Sequence, residues 1–145
     1  MMAHRSLNQN ILLAAPALVL LVAIAAIETL VIRQTGRVVY PIDDPYIHVA
    51  MARHFAEYGV FGVSLAGFSA TSSSPFWTLL LGAAFRIVGS HECIPLLWNV
   101  LFGTAAAFYL TRLLAERLQS ARAAAIAGIL LVFILPLPTL VTLGM

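Results

Sequence analysis

The sequence predicts an all-α integral membrane protein, with three transmembrane helices and two juxtamembrane interfacial helices in the first outer loop. Three observations carry that reading. The composition is 61% hydrophobic and 10% charged, with a mean hydropathy of +0.97. A soluble domain carries about 25% charged residues, and a disordered chain needs low hydrophobicity with high charge. The apolar residues fall in runs long enough to cross a hydrocarbon core of about 30 Å. The basic residues, all of them arginine apart from the histidines, lie unevenly about those runs and so bear on orientation. The net charge of +2 is too small and too scattered to point to nucleic acid. Cys93 is the single cysteine, so no internal disulfide or zinc spacing is possible, and it reads as an apolar filler.

The first span is expected over residues 11–32, about 33 Å as a helix. Pro16 is expected to kink it, and Glu28 reads as an acid near the interface, reaching for water. His4, Arg5 and Ala23-Ile24-Ala25 imitate a signal peptide. The apolar run nevertheless continues to Ile32, which favours an uncleaved span.

Residues 33–36 end that span, and Val38 to Ile42 read as extended. Asp44 then suits a helix N-cap and Pro45 a first helical position, with Gly59 as the stop, so a helix is expected over 45–58. Ile47, Met51, Phe55 and Tyr58 share one face, with His54 beside them, and Arg53 and Glu57 form an i,i+4 pair. The segment is too short to span a bilayer and reads as an amphipathic surface helix. After a Gly- and Ser-rich loop, Ser74 and Pro75 repeat the start signal, and a helix is expected over 75–88. At about 22 Å, and carrying Arg86, it too falls short of the core. The remaining spans are expected at 95–114, with Asn99 inside, and at 121–143, with Pro136 and Pro138 in its outer half.

If residues 75–88 crossed the membrane, Arg112, Arg117 and Arg122 would lie opposite His4 and Arg5. If they lie in the interface, both groups share one side. The positive-inside rule favours the second arrangement, with the N-terminus cytoplasmic and residues 33–94 outside.

That loop holds Asp43 and Asp44, adjacent at the outer surface, with His48 one turn beyond Asp44. Neighbouring carboxylates repel unless a cation or an arginine lies between them. Such a pair can serve as a general base beside a divalent-metal ligand. By spacing alone, a helix N-cap preceded by a second acid is the plainer reading.

The stretch YPIDDPYIHVAMARHFAEYGVFGVS, followed by GFSATSSSPFWTLLLGAAFRIVG, resembles the first outer loop of type C glycosyltransferases, the GT-C fold. The arabinofuranosyl- and mannosyltransferase-like members from bacteria are the nearest in character. In that family an acidic pair follows the first span, then an amphipathic juxtamembrane helix, then a Pro-aromatic helix, here Pro75-Phe76-Trp77. The resemblance implies a multi-pass enzyme of the bacterial plasma (inner) membrane, transferring a sugar from a polyprenyl-phosphate donor to a glycan or lipid acceptor at the outer face. It implies Asp43 as general base, with Asp44 orienting the site or holding a divalent ion such as Mg or Mn. Arg53, His48, Ser73 and Ser74 are candidates for binding the donor phosphate or substrate, the serines because they open a helix N-terminus. Family members have more spans, so the chain reads as an N-terminal portion completed by further C-terminal helices or a partner subunit, and inactive alone. The alternatives are a truncated product without function, or a non-catalytic small membrane subunit that binds a partner through Gly103–Ala107 and Ala121–Gly128.

Overall fold

Six helices account for all regular structure among the described residues of the computed structural model, which covers the backbone of residues 2–144 and the side chains of residues 8–144. They are α1 (Met2–Thr35), α2 (Asp44–Tyr58), α3 (Pro75–Val88), α4 (Ile94–Leu118), α5 (Ala121–Ile134) and α6 (Leu137–Thr142). The side chains of His4 and Arg5, on which the expected orientation partly rests, lie outside the described residues.

Two helices, α1 and α4, are long and apolar enough to cross a membrane. Pro16 lies inside α1 without ending it. Its ring packs where three helices meet: a Cβ on Gly128 of α5 would lie 2.7 Å from Pro16 Cγ and 2.7 Å from Thr111 Oγ1 of α4. Glycine is required there because the rigid Pro16 ring and the Thr111 hydroxyl, held on Ala107 O at 2.7 Å, occupy the space a Cβ would need. Helix α4 runs past the expected end at 114 to Leu118, so Glu116 and Arg117 are helical and the link shrinks to Gln119 and Ser120. Ser120 Oγ caps α5 by accepting from Ala123 N at 3.3 Å.

The expected continuous span over 121–143 is corrected to two helices. Pro136 and Pro138 offer no N–H, and in a continuous helix their rings would press on the carbonyls of Val132 and Ile134. Accordingly α5 ends at Ile134 and α6 begins at Leu137. Asn99, buried in α4, donates to the Val141 carbonyl at 3.0 Å and holds α6 in place. Leu20, Ile24, Ala107, Val132 and Val141 form the shared core of this bundle. The small residues that suggested a partner-binding face are used within it: Ala107, Ala124, Ala125 and Gly128 are buried.

The bundle has two distinct ends. Gln9, Asn10 and Leu13 of α1 line one cavity together with Arg112, Glu116 and Ser120, so the α4–α5 link, with the arginines of the helices that flank it, sits near the start of α1. At the other end the Tyr40 hydroxyl donates to Glu92 O at 2.6 Å and accepts from Leu96 N at 3.2 Å, clasping the chain after α1 to the start of α4.

Helices α2 and α3 form a separate layer at that second end. They run parallel with a constant offset: His48 meets Thr78, Ala52 faces Gly82, and Ala56 accepts from Arg86. Small residues permit this approach, since a Cβ on Gly82 would already lie 3.0 Å from Phe55 Cδ1 and 3.4 Å from Ala52 O. Val49, Ala52, Ala56, Trp77, Leu81, Phe85 and Ile94 make the core of the pair. Full burial of a side chain such as Leu81 or Phe85 contributes about 1.5–3 kcal/mol. The seam therefore differs from the expected face. Met51 is buried, but Phe55 and Tyr58 are 37% and 60% exposed, and the buried line runs through Pro45, His48, Ala52 and Ala56. The stop at Gly59 is as expected: with φ at 70° its N–H bonds Phe55 O, while Val60 N bonds His54 O.

Candidate functional site

Parallel packing brings the N-termini of α2 and α3 side by side, and the Ser72–Ser74 turn crosses between them. His48 lies beneath this turn, 1% exposed, with both ring nitrogens engaged. Nδ1 is 2.8 Å from Thr78 Oγ1 and 3.2 Å from Ser72 Oγ. Nε2 is 3.2 Å from Ser73 Oγ, and the Ser73 hydroxyl donates to Asp44 Oδ2 at 3.4 Å. Ser73 gives its proton to the carboxylate and so accepts from His48 Nε2–H. Nδ1 faces the Ser72 and Thr78 hydroxyls, and Thr78 also donates to Ser74 O at 3.2 Å. The hydrogen-bond network thus assigns a proton to Nε2.

Electrostatics agree with that tautomer. Burial holds the His48 imidazole below the ordinary histidine range, and the neighbouring Asp44 carboxylate pulls the other way. Desolvation disfavours the charged ring. His48 therefore acts as a neutral strut that orients Ser73, and through it Asp44.

The two acids occupy different settings. Asp44 is half-buried and held through one oxygen, whereas Asp43 is exposed. The start of α2 also differs from expectation. Asp44 is the first helical residue and Asp43 stands at the N-cap, where its carbonyl accepts from Tyr46 N at 3.0 Å and Ile47 N at 3.2 Å. Its side chain makes no cap hydrogen bond, so the carboxylate is not committed to closing the helix. The N-cap position thus lies one residue before the Asp44 expected from the sequence.

Of the expected site residues, the fold brings Asp44, His48 and Ser73 together, with Asp43 preceding Asp44 in the chain. Ser74 stands at the N-cap of α3 without a side-chain cap bond; its N–H instead bonds Ser72 Oγ at 3.2 Å. Arg53 is not brought to the acids. It lies nine residues after Asp44, about 13 Å along α2 and half a turn round it. Its Nε is buried without a hydrogen-bond partner among the described residues.

Two contributors lie outside the expected set. Thr78 anchors His48 from α3, and only the register between the helices reveals it. Tyr40 fixes the approach to the acids: its N–H bonds Tyr46 Oη at 3.0 Å, and the two rings meet edge-on at 5.8 Å. Burial pushes the Tyr40 phenol well above the ordinary tyrosine range, so it stays protonated. The sequence signal for this pair was the aromatic residue on each side of the acids, which local spacing leaves unpaired.

Among the described residues no three His, Cys, Asp or Glu side chains gather as a closed metal cage. The residue that could hold a divalent ion is Asp44, whose second carboxylate oxygen makes no hydrogen bond among the described residues. The arrangement presents one free and one braced carboxylate beside two helix N-termini, which favour negative charge. No protein-family model, curated protein or solved structure matches the chain.

Proposed function

We propose that this chain is the N-terminal, acceptor-side portion of a type C membrane glycosyltransferase. The reaction would move a sugar from a polyprenyl phosphate to a hydroxyl of a glycan or lipid acceptor. The observation that supports it best is the acid pair itself: Asp43 free and exposed, Asp44 braced by Ser73 and His48, at the bundle end away from the arginine link.

The proposed topology follows from the same two ends. Helices α1 and α4 cross the membrane, and α5 with α6, together about 30 Å long, make a broken third crossing. The arginine-bearing end is cytoplasmic by the positive-inside rule, which places residues 33–94 on the outer, periplasmic side of the plasma membrane. Helices α2 and α3 lie at the interface there. Exposed Phe55, Tyr58, Phe68 and Phe76 suit that position, since aromatic rings favour the headgroup level.

In this reading Asp43 takes the proton of the acceptor hydroxyl as its oxygen bonds to the anomeric carbon of the donor sugar. The bond from that carbon to the phosphate oxygen breaks, and polyprenyl phosphate leaves with the electron pair. The paired N-termini of α2 and α3, with the Ser74 hydroxyl, face the negative charge that develops. Asp44 offers a carboxylate that would hold a Mg²⁺ or Mn²⁺ ion, whose chemistry there is to offset the leaving phosphate's charge. Further helices, in the same polypeptide or in a partner subunit, complete the donor pocket.

The reading is tested with a polyprenyl phosphate carrying a photoreactive group next to its phosphate, incubated with membranes that contain the chain. Labelling is expected within residues 72–78 and is expected to fall when unlabelled polyprenyl-phosphate sugar is added. Labelling confined to α4 and α5, or unaffected by the competitor, would contradict it.

A further inference from the structure

Glu28 is a buried acid that neither the bundle core nor the acid pair uses. It is 9% exposed, and its Oε2 is fully buried with no hydrogen-bond partner among the described residues. It lines a cavity of about 300 Å³ with Val31, Gln34, Thr35, Val39 and Thr142, between the end of α1, the segment before α2, and α6. An uncompensated carboxylate in apolar surroundings is strongly unfavourable, so the site calls for a partner.

The lining does not supply one. Among the described lining residues none is cationic. The Thr35 hydroxyl gives its proton to a backbone carbonyl, Val31 O at 2.8 Å or Arg37 O at 2.7 Å. The Thr142 hydroxyl gives its proton to Thr139 O at 2.9 Å. The polar face of the cavity therefore presents acceptors, with the Gln34 amide as its one side-chain donor. An acceptor face around a carboxylate matches a ligand that is all donor and positively charged. A primary ammonium has three N–H donors and no acceptor. A quaternary ammonium has the charge but no donor. The largely apolar remainder of the wall, and a volume well above that of a bare ion, suit an ammonium on a short carbon stem.

We infer that the Glu28 cavity binds a primary ammonium group, the headgroup of an aminophospholipid or a soluble aminoalkyl compound. Depth fits the lipid source. Glu28 lies seven residues before the end of α1, about 10 Å along the axis, near the boundary between hydrocarbon and headgroups when α1 crosses a bilayer.

The test is native mass spectrometry of the full chain in mild detergent, with phosphatidylethanolamine, phosphatidylcholine and phosphatidylglycerol of matched acyl chains at equal concentration. Retention of phosphatidylethanolamine is expected to exceed that of phosphatidylcholine by roughly tenfold, the discrimination of one charge-assisted hydrogen bond. Glu28→Gln, which preserves shape, is expected to remove the preference. Equal retention of the three lipids by the unaltered chain would overturn the inference whatever the variant does. So would a preference that survives Glu28→Gln. Free ethanolamine separates the sources: displacement of the lipid supports the ammonium alone as ligand, and retention supports the lipid headgroup with its chains.

Discussion

His48 Nδ1 and Thr78 Oγ1 lie 2.8 Å apart, both buried, on two different helices and thirty residues apart in sequence. The same offset places Arg86 Nη1 2.7 Å from Ala56 O, so one contact at each end sets the register of the parallel pair. Everything proposed for the acid pair depends on that register, because it carries the Ser72–Ser74 turn over Asp44.

Replacing His48 by Ala is therefore expected to lower stability by about 2–4 kcal/mol, combining a lost buried ring with the loss of its hydrogen bonds to Ser72, Ser73 and Thr78. His48→Gln, which retains a donor and an acceptor, is expected to cost less than half as much. Denaturant titration in detergent, read by the fluorescence of Trp77 with Trp98 replaced by Phe, checks both.

The same histidine gives a sign to pH dependence. Burial depresses its folded-state value below that of the unfolded chain, near 6.5. Below that pH the unfolded chain binds the proton more readily than the folded one, so stability falls as pH drops through 6.5 toward the folded value. Above it His48 is neutral in both states and the contribution is constant. Melting temperatures between pH 8 and pH 5 are expected to fall more steeply for the unaltered chain than for His48→Gln. Equal slopes would remove His48 as the cause.

Gly128→Val is expected to separate α5 from Pro16 and Thr111, at a cost of about 1–3 kcal/mol. Arg86→Met is expected to cost about 1 kcal/mol by removing the charged partner of a part-buried carbonyl at the end of α2. These variants act on different layers. Their effects are expected to add, and a double variant measured by the same titration checks it.

Single cysteines at exposed Ser64 and Gln119, with Cys93 replaced by Ser, report the proposed topology. A membrane-impermeant thiol reagent added outside intact cells is expected to label position 64 and not position 119. The reverse pattern would invert the orientation, and labelling of both would place α2–α3 and the arginine link on one side.

Much of this fold is legible in the sequence where a single residue's geometry decides. Pro75, Gly59 and Gly89 mark helix ends because each acts through its own backbone. The division at Pro136 was signalled by the same chemistry, but a count of apolar residues passes over it. The position of Arg53 was also available, since nine residues of helix carry a side chain to the opposite face. What could not be read is the α2–α3 register. It depends on Ala52 meeting Gly82 across a long loop, and the small residues on each helix permit the approach without specifying the partner. His48 could be placed beside Asp44 by one-turn spacing, but its link to Thr78 appears only once the register is known. The exposed state of Asp43 follows from a helix that starts one residue earlier than the strongest cap signal suggests.

The central proposal concerns the division of labour between the two acids. The most direct measurement is transfer of radiolabelled sugar from a polyprenyl-phosphate donor, in membranes containing the whole polypeptide encoded by this reading frame. Asp43→Asn and Asp44→Asn are compared at matched expression. Loss of a general base typically costs about 10²–10⁴ in rate. Asp43→Asn is expected to lose at least about a hundredfold while still inserting and still accepting the photoreactive polyprenyl phosphate. Asp44→Asn is expected to lose less at saturating Mg²⁺ and to require more of the ion. An Asp43→Asn protein that transfers sugar at the unaltered rate would contradict the account.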